Sequence, residues 1–219
     1  MTIRVTKDQL KLYLVTDSTN LSEEVFLEKI EMAIRGGVTF LQIREKERST
    51  REYIDLANKA HEICLRYNIP MVVDDRVDVA MAVDAEGVHL GQSDMPVEMA
   101  RKLLGDKKII GATAKSVEQA VKAQELGADY LGVGAIYPTT TKVKTILTSV
   151  DTLRDICESV DIYANAIGGL NCKNIDVLKG VPIAGICVVS AIMKANDSGT
   201  AARELIQRLD ELGIGSVKS

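Results

Sequence analysis

The chain has 219 residues, of which 46% are hydrophobic and 26% are charged, and its net charge is −4. This balance is that of an ordinary globular protein long enough to bury a large core, so we expect residues 1–219 to form one domain. The acidic charge and an aromatic content of only 4%, without Trp, argue against a nucleic-acid partner.

Short apolar runs alternate with longer stretches of helical periodicity along the whole chain. Eight of these runs are predicted strands, at residues 12–15, 38–43, 71–73, 87–90, 109–113, 129–133, 162–167 and 183–189. Helices are predicted at residues 22–35, 53–67, 77–81, 96–104, 116–126, 149–159, 171–179, 191–194 and 198–212. Eight strand-then-helix units in a chain of this length predict the α/β class and a single (β/α)₈ TIM barrel.

The cysteines and the apolar runs indicate a cellular compartment. Cys64, Cys157, Cys172 and Cys187 are scattered without a C-x-x-C pair, which favours reduced thiols over disulfides or a zinc site. No signal peptide precedes the first apolar strand, and no apolar run approaches about 18 residues. We therefore expect a cytoplasmic protein without a membrane partner.

Polar side chains after the second, third and fourth strands suggest a diphosphate site, because loops that follow the strands of such a barrel converge in space. Strand alternation places Gln42, Arg44 and Lys46 on one face. Asp74 and Asp75 follow the third strand and Asp94 follows the fourth, and carboxylates at two adjacent strand ends can hold Mg²⁺ while leaving room for water and phosphate oxygens. A helix cap or turn is the alternative role for each aspartate taken alone. Because these carboxylates are expected to lie close to Arg44 and Lys46, we predict one Mg²⁺ ion per site.

The loops after the last strands suggest a second phosphate pocket. Gly168-Gly169 follow the seventh strand, and Ser190 begins a short helical pattern after the eighth, where this barrel usually binds phosphate through backbone amides. The loop Thr139-Thr140-Thr141-Lys142 offers hydroxyl donors and a mobile ammonium group. An ordinary polar loop with a surface lysine is the alternative interpretation of that segment.

A series of motifs in order along nearly the whole chain resembles the thiamine-phosphate synthase (thiamine-phosphate pyrophosphorylase) family. The motifs are Leu14-Val15-Thr16-Asp17, Gln42-Ile43-Arg44-Glu45-Lys46, Asp75-Arg76-Val77-Asp78-Val79-Ala80, Gly87-Val88-His89-Leu90-Gly91-Gln92-Ser93-Asp94, Pro138-Thr139-Thr140-Thr141-Lys142, Ala166-Ile167-Gly168-Gly169 and Val188-Val189-Ser190-Ala191-Ile192. The resemblance implies a (β/α)₈ barrel that joins a hydroxymethylpyrimidine diphosphate to a thiazole phosphate. The reaction releases diphosphate and uses Mg²⁺.

The resemblance also implies roles for particular residues. The residues implied to bind the pyrimidine diphosphate are Gln42, Ile43, Arg44, Glu45, Lys46, Asp74, Thr113 and Lys142. Those implied to bind the thiazole phosphate are Thr139, Thr140, Thr141, Gly169, Val189 and Ser190. Asp75 and Asp94 are the implied metal ligands. Arg44, Lys46, Lys142 and Thr113 are the implied catalytic residues, since a dissociative displacement requires charge on the leaving diphosphate to be neutralised.

Four positions depart from the family pattern. Asp74 stands where an Asn is usual, Thr113 where a Ser is usual, Lys115 where a His is usual, and Asn165 where an apolar residue is common. A related thiazole tautomerase, an isomerase that lacks the paired carboxylates and uses that His, is one alternative. A non-catalytic regulatory barrel that binds thiamine precursors is another. His61 and His89 are expected to be structural, and the sequence leaves open whether the chain forms a homodimer.

Overall fold

Eight parallel strands pair in chain order, and the last pairs with the first to close a barrel. The computed structural model describes residues 4–138 and 146–215. The strands are β1 (Leu12–Val15), β2 (Phe40–Ile43), β3 (Met71–Asp74), β4 (Gly87–Leu90), β5 (Ile109–Ala114), β6 (Tyr130–Gly134), β7 (Tyr163–Ile167) and β8 (Gly185–Val188). The predicted α/β class and (β/α)₈ barrel are confirmed.

Helices follow the strands and cover the outside of the barrel. They are α1 (Glu23–Arg35), α2 (Thr50–Arg66), α3 (Val77–Ala82), α4 (Val97–Leu104), α5 (Val117–Glu125), α6 (Val150–Ser159), α7 (Ser190–Met193) and α8 (Ser198–Glu211). The start of α2 shows how sequence sets such a boundary. Ser49 Oγ accepts the N–H of Glu52, and the Glu52 carboxylate accepts the N–H of Ser49, so two amides that lack a helical partner are satisfied.

The prediction of a helix at residues 171–179 is wrong, because only one 3₁₀ turn, Ile175–Leu178, forms there. Side chains of two asparagines engage the backbone instead. Asn174 Oδ1 accepts the N–H of Asn171 at 2.8 Å, and Asn171 Oδ1 accepts the N–H of Lys173 at 2.9 Å. Such local bonds compete with helical hydrogen bonds, so the helical periodicity is overridden.

Two apolar layers hold the fold together. One lies between the barrel and its helices, and the other fills the barrel itself. Tyr13, Phe40 and Tyr130 pack edge to face inside the barrel, with ring centroids 4.7 to 5.8 Å apart. Because these rings occupy the middle of the barrel, space for a ligand remains above them, at the carboxyl ends of the strands.

All four cysteines lie within the described ranges and are free thiols, as predicted. Cys64 and Cys187 are buried, and Cys157 and Cys172 are partly buried. Among the described residues, no helix combines the length and the apolarity needed to cross a bilayer. The extent of the domain over residues 1–219 stays a prediction.

Candidate active site

A cavity opens at the carboxyl ends of the strands, and most of the predicted site residues line it. Nine of them do so: Gln42, Arg44, Lys46, Asp74, Asp75, Thr113, Gly169, Val189 and Ser190. Residues far apart in sequence therefore meet in one place, as expected of loops on a parallel barrel. Thr139, Thr140, Thr141 and Lys142 lie outside the described residues.

Alternation along β2 and its extension decides which side chains face the cavity. Gln42, Arg44 and Lys46 line it, whereas Ile43 is fully buried on the other face and its carbonyl accepts the Tyr53 hydroxyl at 2.8 Å. The Glu45 carboxylate also turns away, accepting bonds from Ser18 Oγ at 3.0 Å and Arg48 Nε at 3.2 Å. The side chains of Ile43 and Glu45 therefore point away from the cavity that the other predicted residues line.

The end of β3 places two adjacent carboxylates beside the cations. Asp74 is the last residue of β3 and is buried, and Lys46 Nζ lies 2.8 Å from its Oδ2. Arg44 Nε lies 3.6 Å from the same oxygen. The backbone of Asp75 is left-handed, with φ of 61°, and its N–H donates to the His89 carbonyl at 2.9 Å. Asp tolerates this conformation better than most residues, and the turn keeps its carboxylate at the mouth, in contact with Lys46.

Asp94 completes this acidic group from the loop after β4. Its Oδ2 accepts the N–H of Gly91 at 2.7 Å, which holds the loop, and its carboxyl group is hydrogen-bonded to Asp75. Burial and the bond to Asp75 raise the pKa of Asp94, and burial together with the Asp75 charge raises the pKa of Asp74. Burial also acts on Asp75, but its bonds to Asp94 and Lys46 outweigh burial and lower its pKa. The carboxyl groups of Asp75 and Asp94 are therefore close together, and a divalent cation placed between them would offset their repulsion.

The opposite side of the cavity is a backbone cradle. Gly168 and Gly169 both have positive φ, 109° and 64°. A Cβ atom at residue 169 would lie 2.8 Å from the Pro138 carbonyl oxygen, so only glycine fits there without displacing backbone. Ser190 is exposed at the first turn of α7, beside this cradle. Successive amides in such turns are suited to anions.

His89 and Lys115 are among the cavity residues that were not assigned to the site from the sequence. His89 lines the cavity, with Nε2 3.1 Å from Thr113 Oγ1 and Nδ1 3.1 Å from the Tyr130 hydroxyl. Lys115, directly after β5, lines it as well. The signal for His89 was available: Val88 and Leu90 pack outward against helices, so alternation turns His89 inward. We nevertheless expected a structural role for His89 from the sequence, because it lies within an apolar strand.

Comparison with known proteins places this geometry in a family. The family model described as thiamine monophosphate synthase matches residues 12–192. A Streptococcus pneumoniae serotype 4 protein named thiamine-phosphate synthase 2 is 47% identical over 94% of this chain and 98% of its own length. A Campylobacter jejuni thiamine-phosphate synthase is 49% identical over 94% of this chain and 96% of its own length.

A solved structure agrees with these sequences. A thiamine phosphate pyrophosphorylase from Pyrococcus furiosus superposes with a TM-score of 0.86, at 40% identity, over 94% of this chain and 98% of that one. Residues 12–192, which the family model matches, include all eight strands of the barrel. The chain belongs to the thiamine monophosphate synthase family.

Proposed function

We propose that the chain is a working thiamine-phosphate synthase, a transferase that joins a 4-amino-5-hydroxymethylpyrimidine diphosphate to a hydroxyethylthiazole phosphate in the cavity above the barrel. One observation carries the proposal. The cavity has a charged side, made by Arg44, Lys46 and the aspartates, and a backbone cradle opposite, at Gly168 and Gly169. Two anionic substrates can therefore enter one cavity with their phosphates on different sides.

The charged side suits a diphosphate held with a divalent cation. Asp75 and Asp94 are the proposed ligands, since their carboxyl groups lie close together at the mouth of the cavity. Mg²⁺ held there would supply positive charge to the oxygens of the departing diphosphate. Among the described residues, no group of three His, Cys, Asp or Glu side chains is arranged to hold a metal, which is consistent with an ion that water and diphosphate oxygens also coordinate.

Arg44 and Lys46 are the proposed catalytic cations on that side, with Lys142 joining them from the loop after β6. In the reaction, the bond between the pyrimidine methylene and the diphosphate oxygen breaks, and a bond from the thiazole nitrogen to that methylene forms. The nitrogen attacks with its own lone pair, so no general base is needed. The task of the protein is to neutralise charge that grows on the leaving oxygen and to align the two substrates.

The remaining proposed contacts follow from position in the cavity. Gly169, Val189 and Ser190 would bind the thiazole phosphate through amides and a hydroxyl, helped by Thr139, Thr140 and Thr141. Gln42 and Thr113 lie at the inner end of the cavity, toward the barrel interior, where the uncharged pyrimidine ring would fit. Homodimer formation and a cytoplasmic location stay predictions.

The experiment that tests the proposal combines the purified chain, both substrates and Mg²⁺, and detects thiamine phosphate by chromatography. Reactions that lack one substrate, or that contain a chelator, are the controls. We expect thiamine phosphate and diphosphate in equal amounts, only with both substrates and the metal ion. Binding of both substrates without product would favour the regulatory-barrel alternative. Rearrangement of a thiazole substrate alone would favour the tautomerase.

A further inference from the structure

Two asparagine side chains after β7 converge on one backbone carbonyl. Asn174 Nδ2 donates to the Gly169 carbonyl at 2.9 Å, and Asn171 Nδ2 donates to the same oxygen at 3.3 Å. The orientation of each side-chain amide is fixed at its other end, where Asn174 Oδ1 accepts the N–H of Asn171 and Asn171 Oδ1 accepts the N–H of Lys173. A backbone N–H can only donate, so the oxygen of each amide faces it and the NH₂ group faces Gly169. The Gly169 carbonyl is therefore held by two side-chain donors.

The preceding carbonyl is held by the segment that follows β6. The Gly168 carbonyl accepts the N–H of Tyr137 at 3.0 Å. Tyr137 also packs close to the turn, since a Cβ atom at residue 169 would lie 2.8 Å from the Tyr137 Cβ atom. The Tyr137 hydroxyl donates to the Asn174 carbonyl at 3.4 Å, which joins this segment to the asparagines. The carbonyls of Gly168 and Gly169 thus both have fixed hydrogen-bond partners.

The planar peptide bond converts these two contacts into a direction for two N–H groups. In a trans peptide, the carbonyl and the N–H of the next residue point in opposite directions, so the N–H groups of Gly169 and Leu170 point away from the donors that hold the carbonyls. Gly169 and Leu170 line the cavity, whereas those donor residues do not. Within the part of the chain that the structure describes, neither N–H donates to a backbone or side-chain acceptor, and Leu170 is only 4% exposed. A buried N–H without an acceptor costs free energy, which an acceptor on a ligand would recover.

Resting on the proposed function, we propose that Asn171 and Asn174 are positioning residues for the thiazole phosphate, and that the Leu170 N–H joins the Gly169 N–H as a donor to it. Successive N–H groups that face one cavity suit an anion, and hydrogen bonds to a charged acceptor are stronger than those to a neutral one. The asparagines that prevent a helix at residues 171–179 therefore have a second role. They hold the peptide planes of the backbone cradle.

The first test observes the Leu170 N–H directly in the unsubstituted chain. Gly169-Leu170 is the one Gly-Leu pair in the sequence, so labelling with carbonyl-¹³C glycine and ¹⁵N leucine leaves a single amide signal, that of Leu170, in an HNCO spectrum. Thiazole phosphate and inorganic phosphate are added in separate titrations. We expect the Leu170 proton to move downfield, because a hydrogen bond to a charged acceptor is short and strong. A shift in either titration supports the proposal, and a signal that stays in place in both overturns it.

The inorganic phosphate titration keeps this inference separate from the proposed function. Failure to make thiamine phosphate would count against the proposed function, whereas the Leu170 signal reports on the cradle whether or not the chain turns over. Because no residue is substituted, the result does not depend on how well a variant folds.

The second test removes the closer donor. In Asn174→Ala the Gly169–Leu170 peptide can rotate, so we expect the affinity for thiazole phosphate, measured by calorimetry, to fall about tenfold. The affinity for the pyrimidine diphosphate should stay within about twofold, because that ligand binds on the charged side of the cavity. Asn196→Ala is the matched control, at an exposed asparagine between α7 and α8, and should change neither affinity. An unchanged affinity for thiazole phosphate in Asn174→Ala, or an equal loss for both ligands, would overturn the positioning role.

Discussion

The two ends of the barrel treat buried carboxylates in opposite ways. Asp129, just before β6 at the amino-terminal end, accepts from Arg4 Nη1 and Arg101 Nη2, each at 2.6 Å, and from the N–H of Ile110 at 2.8 Å. At the carboxyl end, Lys46 contacts both Asp74 and Asp75, Arg44 Nε lies 3.6 Å from Asp74, and Asp94 lies beside Asp75. At the amino end, therefore, two arginines share one carboxylate, whereas at the carboxyl end three carboxylates lie beside only two cations.

The difference separates stability from function. A buried carboxylate that accepts several charge-assisted hydrogen bonds stabilises the native state. Removing it leaves the partner cations buried without a counter-ion, which costs free energy. Surplus carboxylates at an open mouth repel one another until a proton or a metal ion joins them.

Asp129→Ala should lower the free energy of unfolding by about 3 kcal/mol, because Arg4 and Arg101 lose a buried counter-ion. The value is at the low end for a broken buried pair, since Arg101 also donates to the carbonyls of Gly127 and Lys108. Urea unfolding measures the change. Activity per folded molecule should be preserved, and a loss below about 1 kcal/mol would contradict the contrast between the two ends.

Asp75→Asn and Asp94→Asn should each lower kcat/KM at least about a hundredfold, or about 2.7 kcal/mol of transition-state stabilisation, because the proposed metal loses a ligand. Unfolding stability should change by less than about 1 kcal/mol in either variant, since both carboxylates lie at the mouth of the cavity and are partly exposed. Asp78→Asn is the matched control: an exposed aspartate near the same turn, paired with Arg76. Full activity in either site variant would remove the metal assignment.

Asp74→Asn should raise the Mg²⁺ concentration needed for half-maximal activity, while the rate at saturating Mg²⁺ stays within about tenfold, or about 1.4 kcal/mol. Asp74 carries charge that helps to retain the cation, although it also holds Lys46 at 2.8 Å. The measurement is a Mg²⁺ titration of initial rates in both proteins. Activation of the chain at an unchanged Mg²⁺ requirement would instead show that Asp74 repels the diphosphate.

The pair of His61 and Glu86, 3.2 Å apart on the outside of the barrel, should give a small pH dependence of stability. The bond to Glu86 raises the pKa of His61 against burial, while bonds from His61 and from the Met71 N–H outweigh burial and lower the pKa of Glu86. The His61 contribution is therefore complete below about pH 6.5 and is lost as pH rises through its raised pKa. The Glu86 contribution is present above about pH 4.3 and is lost as pH falls through its lowered pKa.

We expect His61→Gln to cost more stability at pH 6 than at pH 9, by no more than about 1 kcal/mol, because the pair is partly exposed. Urea unfolding of both proteins at the two pH values provides the difference. The control is the same comparison in a Glu86→Gln background, where the pH dependence should disappear. A larger cost at pH 9 would reverse the sign and contradict the assigned pKa direction.

The alternation of apolar runs and helical periodicity was enough to predict the barrel, because each strand pairs with the next strand in the sequence. It was also enough to predict that Gln42, Arg44 and Lys46, which alternate along β2 and its extension, face the same cavity. It was not enough for residues 171–179, where asparagine side chains take the place of helical bonds. Nor could it show that Asn165, the polar residue in β7, donates across the barrel to the Leu10 carbonyl at 2.6 Å.

The roles of His89 and Asp94 depend on contacts between strands rather than on order along one strand. His89 is linked to Tyr130 and Thr113, which come 41 and 24 residues later. Alternation in a sequence predicts which side chains of a strand face inward, but it does not predict which inward side chains of different strands are close enough to form a hydrogen bond. The balance of carboxylates and cations at the mouth of the cavity likewise depends on how the segments after β2, β3 and β4 come together.

Direct measurement of cation binding tests the central claim that the aspartates outnumber the cations at the carboxyl end of the barrel, so that this end, unlike the amino end, binds a further cation. Mn²⁺ prefers the same oxygen ligands as Mg²⁺ and is visible by electron paramagnetic resonance. In the presence of inorganic diphosphate we expect one Mn²⁺ to bind per chain. Binding should be retained in Asp78→Asn and lost in Asp75→Asn and Asp94→Asn. Equal binding in all four proteins would contradict the claim.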